Sequence, residues 1–269
     1  MSSFNFDLQE ILTFFAVLVR YSVLLSVLPF LGDKTIPSLH KVLFSFCISA
    51  VMYPALVNAH YIRPQEATIW GATAGGIVST ISLEVLLALL LGFVGRLIFD
   101  AIQFGAHLVG NFMGFASASI YDPHQESQTD IVARLQIILA MLLFLTLDGH
   151  HLMLGAVLNS YRWVGLAQFQ FHGAVSQKLI EMTSEVFQLG LQLSAPVALS
   201  VFSIHTVFGI LSKAMPQLNV FILSFAVIAL VGFVVLYLSL DEFQAFSHEL
   251  FERLSEWLLI MMRVIQGGR

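Results

Sequence analysis

Residues 105–130 read GAHLVGNFMGFASASIYDPHQESQTD, and the rest of the chain is interpreted around them. Three glycines, Gly105, Gly110 and Gly114, stand among large apolar residues, and a polar loop follows. Glycine costs about 1 kcal/mol against alanine inside a helix, so such a cluster predicts backbone that bends or approaches other backbone closely. At membrane depth, irregular backbone is tolerated only inside protein or beside a water-filled cavity. The stretch is therefore interpreted as a pore or gate element.

The composition indicates an integral membrane protein. Of the 269 residues, 58% are hydrophobic and 11% are charged, whereas a soluble domain carries about 25% charged residues. The 17 acidic and 12 basic residues give a formal net charge of -5. Since no cluster of basic residues occurs in the sequence, nucleic-acid binding is not expected. No long polar linker divides the chain, which predicts a single domain over residues 1–269.

Six apolar stretches approach the roughly 20 residues that a membrane-spanning helix needs. We expect the third stretch to bend at Gly92 and Gly95 or to continue beyond the membrane, and the fourth to break near Asp148. In the tail from Asp241 to Arg263, apolar residues recur every three or four positions among charged residues, which predicts an amphipathic helix. The sequence thus predicts an all-α fold of about six long, partly broken helices. The stretches run from about Ile11 to Leu31, Leu39 to Val57, Ile69 to Phe99, Ile131 to Val157, Phe187 to Leu211 and Val220 to Leu240.

The last two stretches are joined by a short polar segment, residues 212–219, which reads SKAMPQLN. Proline cannot continue a helix, so Pro216 is expected to end the fifth stretch. Together with Gln217 and Asn219 it predicts the turn of an αα-hairpin.

Several ionisable side chains lie inside apolar stretches, where each costs about 2.5–3.5 kcal/mol on insertion. One interpretation is that they pair with one another, or with a partner subunit, and fix the packing. Glu84 has no charged neighbour within residues 81–91, so it is either an anchor between helices or a proton relay. The residues concerned are Arg20, Glu84, Arg96, Asp100, Arg134 and Asp148.

Asp148, His150 and His151 have the composition of a metal or acid–base cluster. Adjacent residues point about 100° apart on a helix, however, which places two neighbouring histidines poorly around one ion. We therefore expect neither a metal nor another cofactor. Motifs of activated nucleophiles and phosphate-binding loops are also missing from the sequence, so an enzyme is not expected.

The gate interpretation rests on the residues from Gly110 to Phe115. Gly110 and Gly114 form a Gly-x-x-x-Gly pair, which in a span is typical of close helix contact. Phe112, Met113 and Phe115 are expected to close a narrow passage as a deformable apolar seal, because methionine adapts its shape at little cost.

The segment GNFMGF at 110–115, followed by Asp122-Pro123, resembles the glycine-rich signature of the FliR/SctT family, the R-type export-gate subunits of bacterial flagella and type III secretion injectisomes. The resemblance covers about Ile11 to Leu240. Other motifs match in the family's order, namely EVLLA at 84–88, FL at 144–145, DGH at 148–150, NSY at 159–161, AP at 195–196, GILSK at 209–213 and PQLNVF at 216–221.

The resemblance implies a P-like part over about residues 1–180, with a plug at 105–122, and a Q-like helical hairpin over about 181–240. Residues 241–269 form the amphipathic C-terminal helix. One such subunit would join several copies of the P-type and Q-type subunits, FliP and FliQ, in a cone-shaped assembly in the bacterial inner membrane, with the B-type and A-type subunits FlhB and FlhA nearby. Unfolded flagellar proteins would pass through its channel at the flagellar basal body.

The sequence departs from the family pattern at two places. His124 stands where the family commonly has a glycine after Asp-Pro, and the segment after Ser160-Tyr161, where a proline is usual, has Trp163-Val164-Gly165. A rival hypothesis is a proton-coupled secondary transporter or channel subunit that uses Glu84 and a broken third helix. Such a transporter predicts an internal repeat, and none is evident in the sequence.

Overall fold

A computed structural model describes residues 7–28, 36–115, 131–215 and 220–267 of the chain. All regular structure in these four ranges is helical, which confirms the all-α prediction. The helices are α1 (Leu8–Val27), α2 (Ser38–Asn58), α3 (Ala67–Trp70), α4 (Ala74–Phe112), α5 (Ile131–Thr146), α6 (Gly149–Trp163), α7 (Gly173–Ala214), α8 (Val220–Leu238) and α9 (Leu240–Gly267), with a 3-10 turn at Pro64–Glu66.

Within the described ranges, α1, α2, α4 and α7 are each long and apolar enough to cross a membrane. The number rises to six if each of two bent helix pairs counts as one span. The axes of α5 and α6 differ by 61°, and those of α8 and α9 by 59°. Asp148, between α5 and α6, has a left-handed backbone with φ of 55°. The predicted break in the fourth stretch is therefore confirmed.

The third stretch was expected either to bend at Gly92 and Gly95 or to continue beyond one span, and α4 shows the continuation, because its 39 residues form one uninterrupted helix. Both glycines instead make room for neighbouring side chains. A β-carbon on Gly92 would lie 2.9 Å from Cβ of Val27, and one on Gly95 would lie 3.1 Å from Sδ of Met153. The glycines therefore allow close packing, and the third stretch continues well beyond the length that one span requires.

The connector between α6 and α7 is short, because α6 continues to Trp163 and α7 begins at Gly173. The predicted hairpin turn at Pro216, Gln217 and Asn219 lies outside the described residues.

Helix α9 is amphipathic as predicted. Its apolar residues repeat every three or four positions and are buried, while the acidic residues between them are exposed. The buried set includes Leu250, Leu254, Trp257 and Met261, and the exposed set includes Glu242, Glu249, Glu252 and Glu256.

Contacts divide the chain into two units, each with its own buried residues. In the first unit α1 packs against α2, α3 and α6. The core of the second unit is an apolar cluster, called here the α4-end cluster, made of Val109, Met113, Val132, Val197, Val201 and Ile228. The first unit comprises Met1–Leu97, Asp148–Met182 and Arg253–Arg269, and the second comprises Ile98–Leu147 and Thr183–Glu252. The P-like and Q-like parts with their boundary near residue 180 stay a prediction.

Candidate functional site

The predicted gate segment lies at the C-terminal end of α4. Gly105 and Gly110 are still helical, so the irregular backbone expected from Gly105 onward begins only after Phe112. The Met113 N–H donates to the Val109 carbonyl at 3.0 Å, and Gly114 then adopts φ of +83°. Because this left-handed conformation suits glycine, Gly114 ends the helix at this point.

Met113 is fully buried in the α4-end cluster. It occupies the space left by the missing side chain of Gly232 in α8, where a β-carbon would lie 2.7 Å from Cγ of Met113 and 2.9 Å from its Sδ. The end of α4 is therefore held against α8 by an apolar side chain that has no contact with solvent in this chain.

Phe115 extends the same contact along α8. Its ring meets Phe233 edge to face, with ring centroids 5.8 Å apart, and Phe225 at 6.4 Å. Aromatic pairs in this arrangement contribute about 0.5–1.5 kcal/mol beyond the area that they bury. Phe112 is separate from this contact, since its side chain is 39% exposed. Of the three residues that were predicted to form one seal, Met113 and Phe115 thus contact α8 together, and Phe112 does not.

The Gly-x-x-x-Gly interpretation of Gly110 and Gly114 is wrong as a helix-contact motif. Gly110 is buried within α4, but Gly114 lies beyond the end of the helix at positive φ. The pair therefore does not form one helical face. The close contact of glycines is found instead between α4 and α7, where a β-carbon on Gly105 would lie 2.7 Å from the carbonyl oxygen of Gly190.

A second polar feature is buried in the first unit. The Arg20 Nε donates to Oε2 of Glu84, and the two side chains are 0% and 1% exposed. Arg20 Nη1 also donates to the Ser160 hydroxyl at 2.8 Å, and the guanidinium lies 3.8 Å from the centre of the Tyr161 ring. The pairing of intramembrane charges expected from the sequence is therefore confirmed for Arg20, and Glu84 has a partner 64 positions away.

The loop after α6 joins this buried group. The backbone N–H of Ala167 donates to Oε1 of Glu84 at 3.2 Å, and Ala167 has a positive φ of 59°. Both oxygens of the Glu84 carboxylate are thus engaged, one by the guanidinium and one by a backbone amide. Ala167, Ser160 and Tyr161 were not predicted as partners of this pair, although the Asn-Ser-Tyr motif at 159–161 was a signal.

Asp148, His150 and His151 lie closer together than the sequence argument allowed. Nδ1 of His151 is 3.1 Å from Oδ1 of Asp148, and the centroids of the two imidazole rings lie 4.1 Å apart with the ring planes tilted by 36°. One potential ligand atom from each residue lies within 4.8 Å of the others. The residues lie at the N-terminus of α6, where the positive end of the helix dipole disfavours a cation. The expectation that adjacent histidines diverge was therefore wrong, and the expected absence of a metal stays a prediction.

Arg96 lies on the exposed side of α4. It is therefore separate from the buried Arg20–Glu84 pair, and its predicted role in packing within the membrane stays a prediction.

The family model described as "Bacterial export proteins, family 1" matches residues 11–254. This chain belongs to that family. Among its relatives is the flagellar biosynthetic protein FliR of Bacillus subtilis, 25% identical over 227 residues, which are 83% of this chain and 84% of the relative. FliR of Pectobacterium carotovorum is 29% identical over 245 residues, 91% of this chain and 90% of the relative. The Yop proteins translocation protein T of Yersinia pestis is 27% identical over 221 residues, which are 80% of this chain and 81% of the relative.

Membership of this export family explains the composition and the helices together. The chain is a multi-pass protein of the bacterial inner membrane and a component of a type III export apparatus. The resemblance on which the sequence analysis relied is confirmed, and it extends to both the flagellar and the injectisome branches.

Proposed function

We propose that this protein is a core subunit of the flagellar export gate and that residues 105–122 plug the entrance of its channel. The observation that carries the proposal is the end of α4, where the helix terminates at a left-handed Gly114 with a buried Met113 on one side and Phe115 on the other. A helix end that is held only by apolar side chains can close a passage and can also be displaced. Unfolded flagellar proteins are the proposed cargo.

The chemistry of the segment fits a seal for small solutes. Apolar constrictions block ions by excluding water, and they need no charged group to do so. Met113 and Phe115 form such an apolar contact with α8, while Gly114 supplies the backbone freedom that lets the segment yield. Catalysis has no part in this function, and we propose that the protein is not an enzyme.

The proposed partners are the P-type and Q-type subunits, FliP and FliQ, with the B-type and A-type subunits FlhB and FlhA beside them. Large apolar residues along α2, α7 and α8 are exposed in the single chain. Exposed apolar surface of this kind indicates faces that lipid or another protein covers. They include Leu39, Val42 and Phe46 of α2, Leu199, Phe202 and Ile210 of α7, and Leu230, Tyr237 and Leu238 of α8.

The transporter hypothesis has less support than the export gate. A proton relay needs a carboxylate that can gain and lose a proton during turnover, whereas the Glu84 carboxylate is paired with the Arg20 guanidinium and the Ala167 amide. A buried carboxylate held on both oxygens acts as an anchor between elements. We therefore assign Glu84 a structural role within the export subunit.

Native mass spectrometry tests the proposed assembly. A tagged copy of this chain is purified in mild detergent from cells that also express the P-type and Q-type subunits. The proposal predicts a complex in which one copy of this chain is joined by several copies of both partners. A lone chain or a homodimer would contradict the proposal and favour the transporter hypothesis.

A further inference from the structure

Gly232 is the only glycine in α8, a helix that otherwise consists of apolar residues and one serine. A glycine inside a helix costs about 1 kcal/mol against alanine, so its presence in a regular helix calls for a packing reason. Here the reason is visible, because Gly232 is buried and the side chain of Met113 fills the space beside its α-carbon.

The residues around Met113 and Gly232 show that this contact is tightly packed. Met113 is 0% exposed, and Ile228, one helical turn before Gly232, belongs to the same cluster. Phe233, the residue after Gly232, meets the ring of Phe115 edge to face. Two consecutive positions of α8 thus hold two residues on either side of Gly114, the point at which the backbone of the gate segment turns.

We infer that Gly232 is a positioning residue for the gate, a socket in α8 that receives Met113 when the plug is closed, and that opening requires Met113 to leave this socket. The inference rests on the proposed plug function and adds to it the place where the plug is held. Methionine suits this role because its flexible, unbranched side chain can enter and leave a narrow space at little cost.

Filling the socket is the first test. A methyl group in Gly232→Ala would lie within 3 Å of Cγ and Sδ of Met113, so the methionine must move, and Gly232→Val leaves it still less room. We expect ion leak through the assembled gate to rise from the parent to Gly232→Ala and again to Gly232→Val. Gly155→Ala is the matched control, because a β-carbon there meets no atom within 4 Å. Equal leak in all four proteins would overturn the inference.

A reversible cross-link is the second test. A disulfide places each sulfur about 3 Å from the β-carbon of its partner. Cγ of Met113, the position that a cysteine sulfur would take, lies 2.7 Å from the β-carbon position of Gly232. The variant combines Met113→Cys and Gly232→Cys with Cys47→Ser, which removes the chain's single native thiol. Oxidation should form the bond within the assembled complex and stop export of flagellar proteins, and reduction should restore it.

The controls separate the socket from the plug itself. Met113→Cys alone in the Cys47→Ser background should export equally with and without oxidant. If the double variant cross-links in high yield and export continues, Met113 does not leave Gly232 during opening and the inference fails. The inference also fails if the bond does not form in the assembled complex. Phe115→Ala tests the plug function independently of the socket. Increased leak in that variant would show that the plug function holds even if the inference about Gly232 fails.

Discussion

The Arg20 guanidinium and the Glu84 carboxylate form a fully buried ion pair that ties α1 to α4 across 64 residues of sequence. Ser160 accepts a further hydrogen bond from Arg20, and the Ala167 amide donates to Glu84. One charge pair thus fixes two helices, the end of α6 and the loop that follows it. The pair lies in the first unit, whereas Gly105 and Met113 of the gate segment belong to the second.

Removing one member of this pair should strongly destabilise the protein. Truncating one partner of a buried ion pair costs about 3–5 kcal/mol, because the other charge is left buried and unpaired. We expect Arg20→Met and Glu84→Leu each to lower the thermal unfolding temperature of the purified complex, and the double variant to recover most of the loss.

Two comparisons make this result specific. Lys178 and Glu181 form an ion pair at 2.9 Å whose acid is 56% exposed, so Lys178→Met should cost less than about 1 kcal/mol. Export by the stable double variant should be near normal. Loss of export in a double variant that is as stable as the parent would favour a proton relay through Glu84 over the anchor.

The close approach of α4 and α7 should not tolerate a side chain at Gly105. A β-carbon there would meet the carbonyl oxygen of Gly190 at 2.7 Å, and backbone atoms cannot move aside as a flexible side chain can. Overpacking of this kind costs about 1–3 kcal/mol. Gly105→Ala should therefore lower the unfolding temperature. Gly173→Ala, where a β-carbon meets nothing within 4 Å, should leave it unchanged or raise it.

Gly114→Ala should shift the gate toward leak with little loss of overall stability. Its φ of +83° is costly for residues with a β-carbon, by roughly 1–2 kcal/mol. A methyl group would also lie 3.3 Å from the Phe225 ring. Because the residue lies at the helix end, the strain should displace Phe115 and leave the helices intact. Circular dichroism with a conductance assay checks both parts, and a normal seal in this variant would contradict the geometry.

Much of the fold could be predicted because long apolar stretches in a membrane protein have few alternatives to helices. The break at Asp148 was also predictable, since a polar group with a glycine interrupts an apolar run. Glycine was harder to interpret at Gly92 and Gly95. Glycine is found both at helix bends and at close contacts between helices. Only the neighbouring side chains, Val27 and Met153, show that Gly92 and Gly95 are at close contacts.

The glycine-rich signature predicts a gate segment around Met113 but not the contacts of that segment, because an apolar side chain next to a glycine can face a channel, lipid or another helix. Its burial against Gly232 depends on a residue 119 positions later. Arg20 and Glu84 raise the same difficulty, because the sequence shows that charges need partners without showing which partner is near.

The ion conductance of reconstituted complexes carrying Met113→Ala or Phe115→Ala tests the central claim most directly. Both residues hold the end of α4 against α8, whereas Phe112 is 39% exposed and outside that contact. We expect assembly with the partner subunits to be intact in all three alanine variants. Conductance should rise in Met113→Ala and Phe115→Ala and stay near the parent level in Phe112→Ala. Unchanged conductance in the first two, in fully assembled complexes, would contradict the plug.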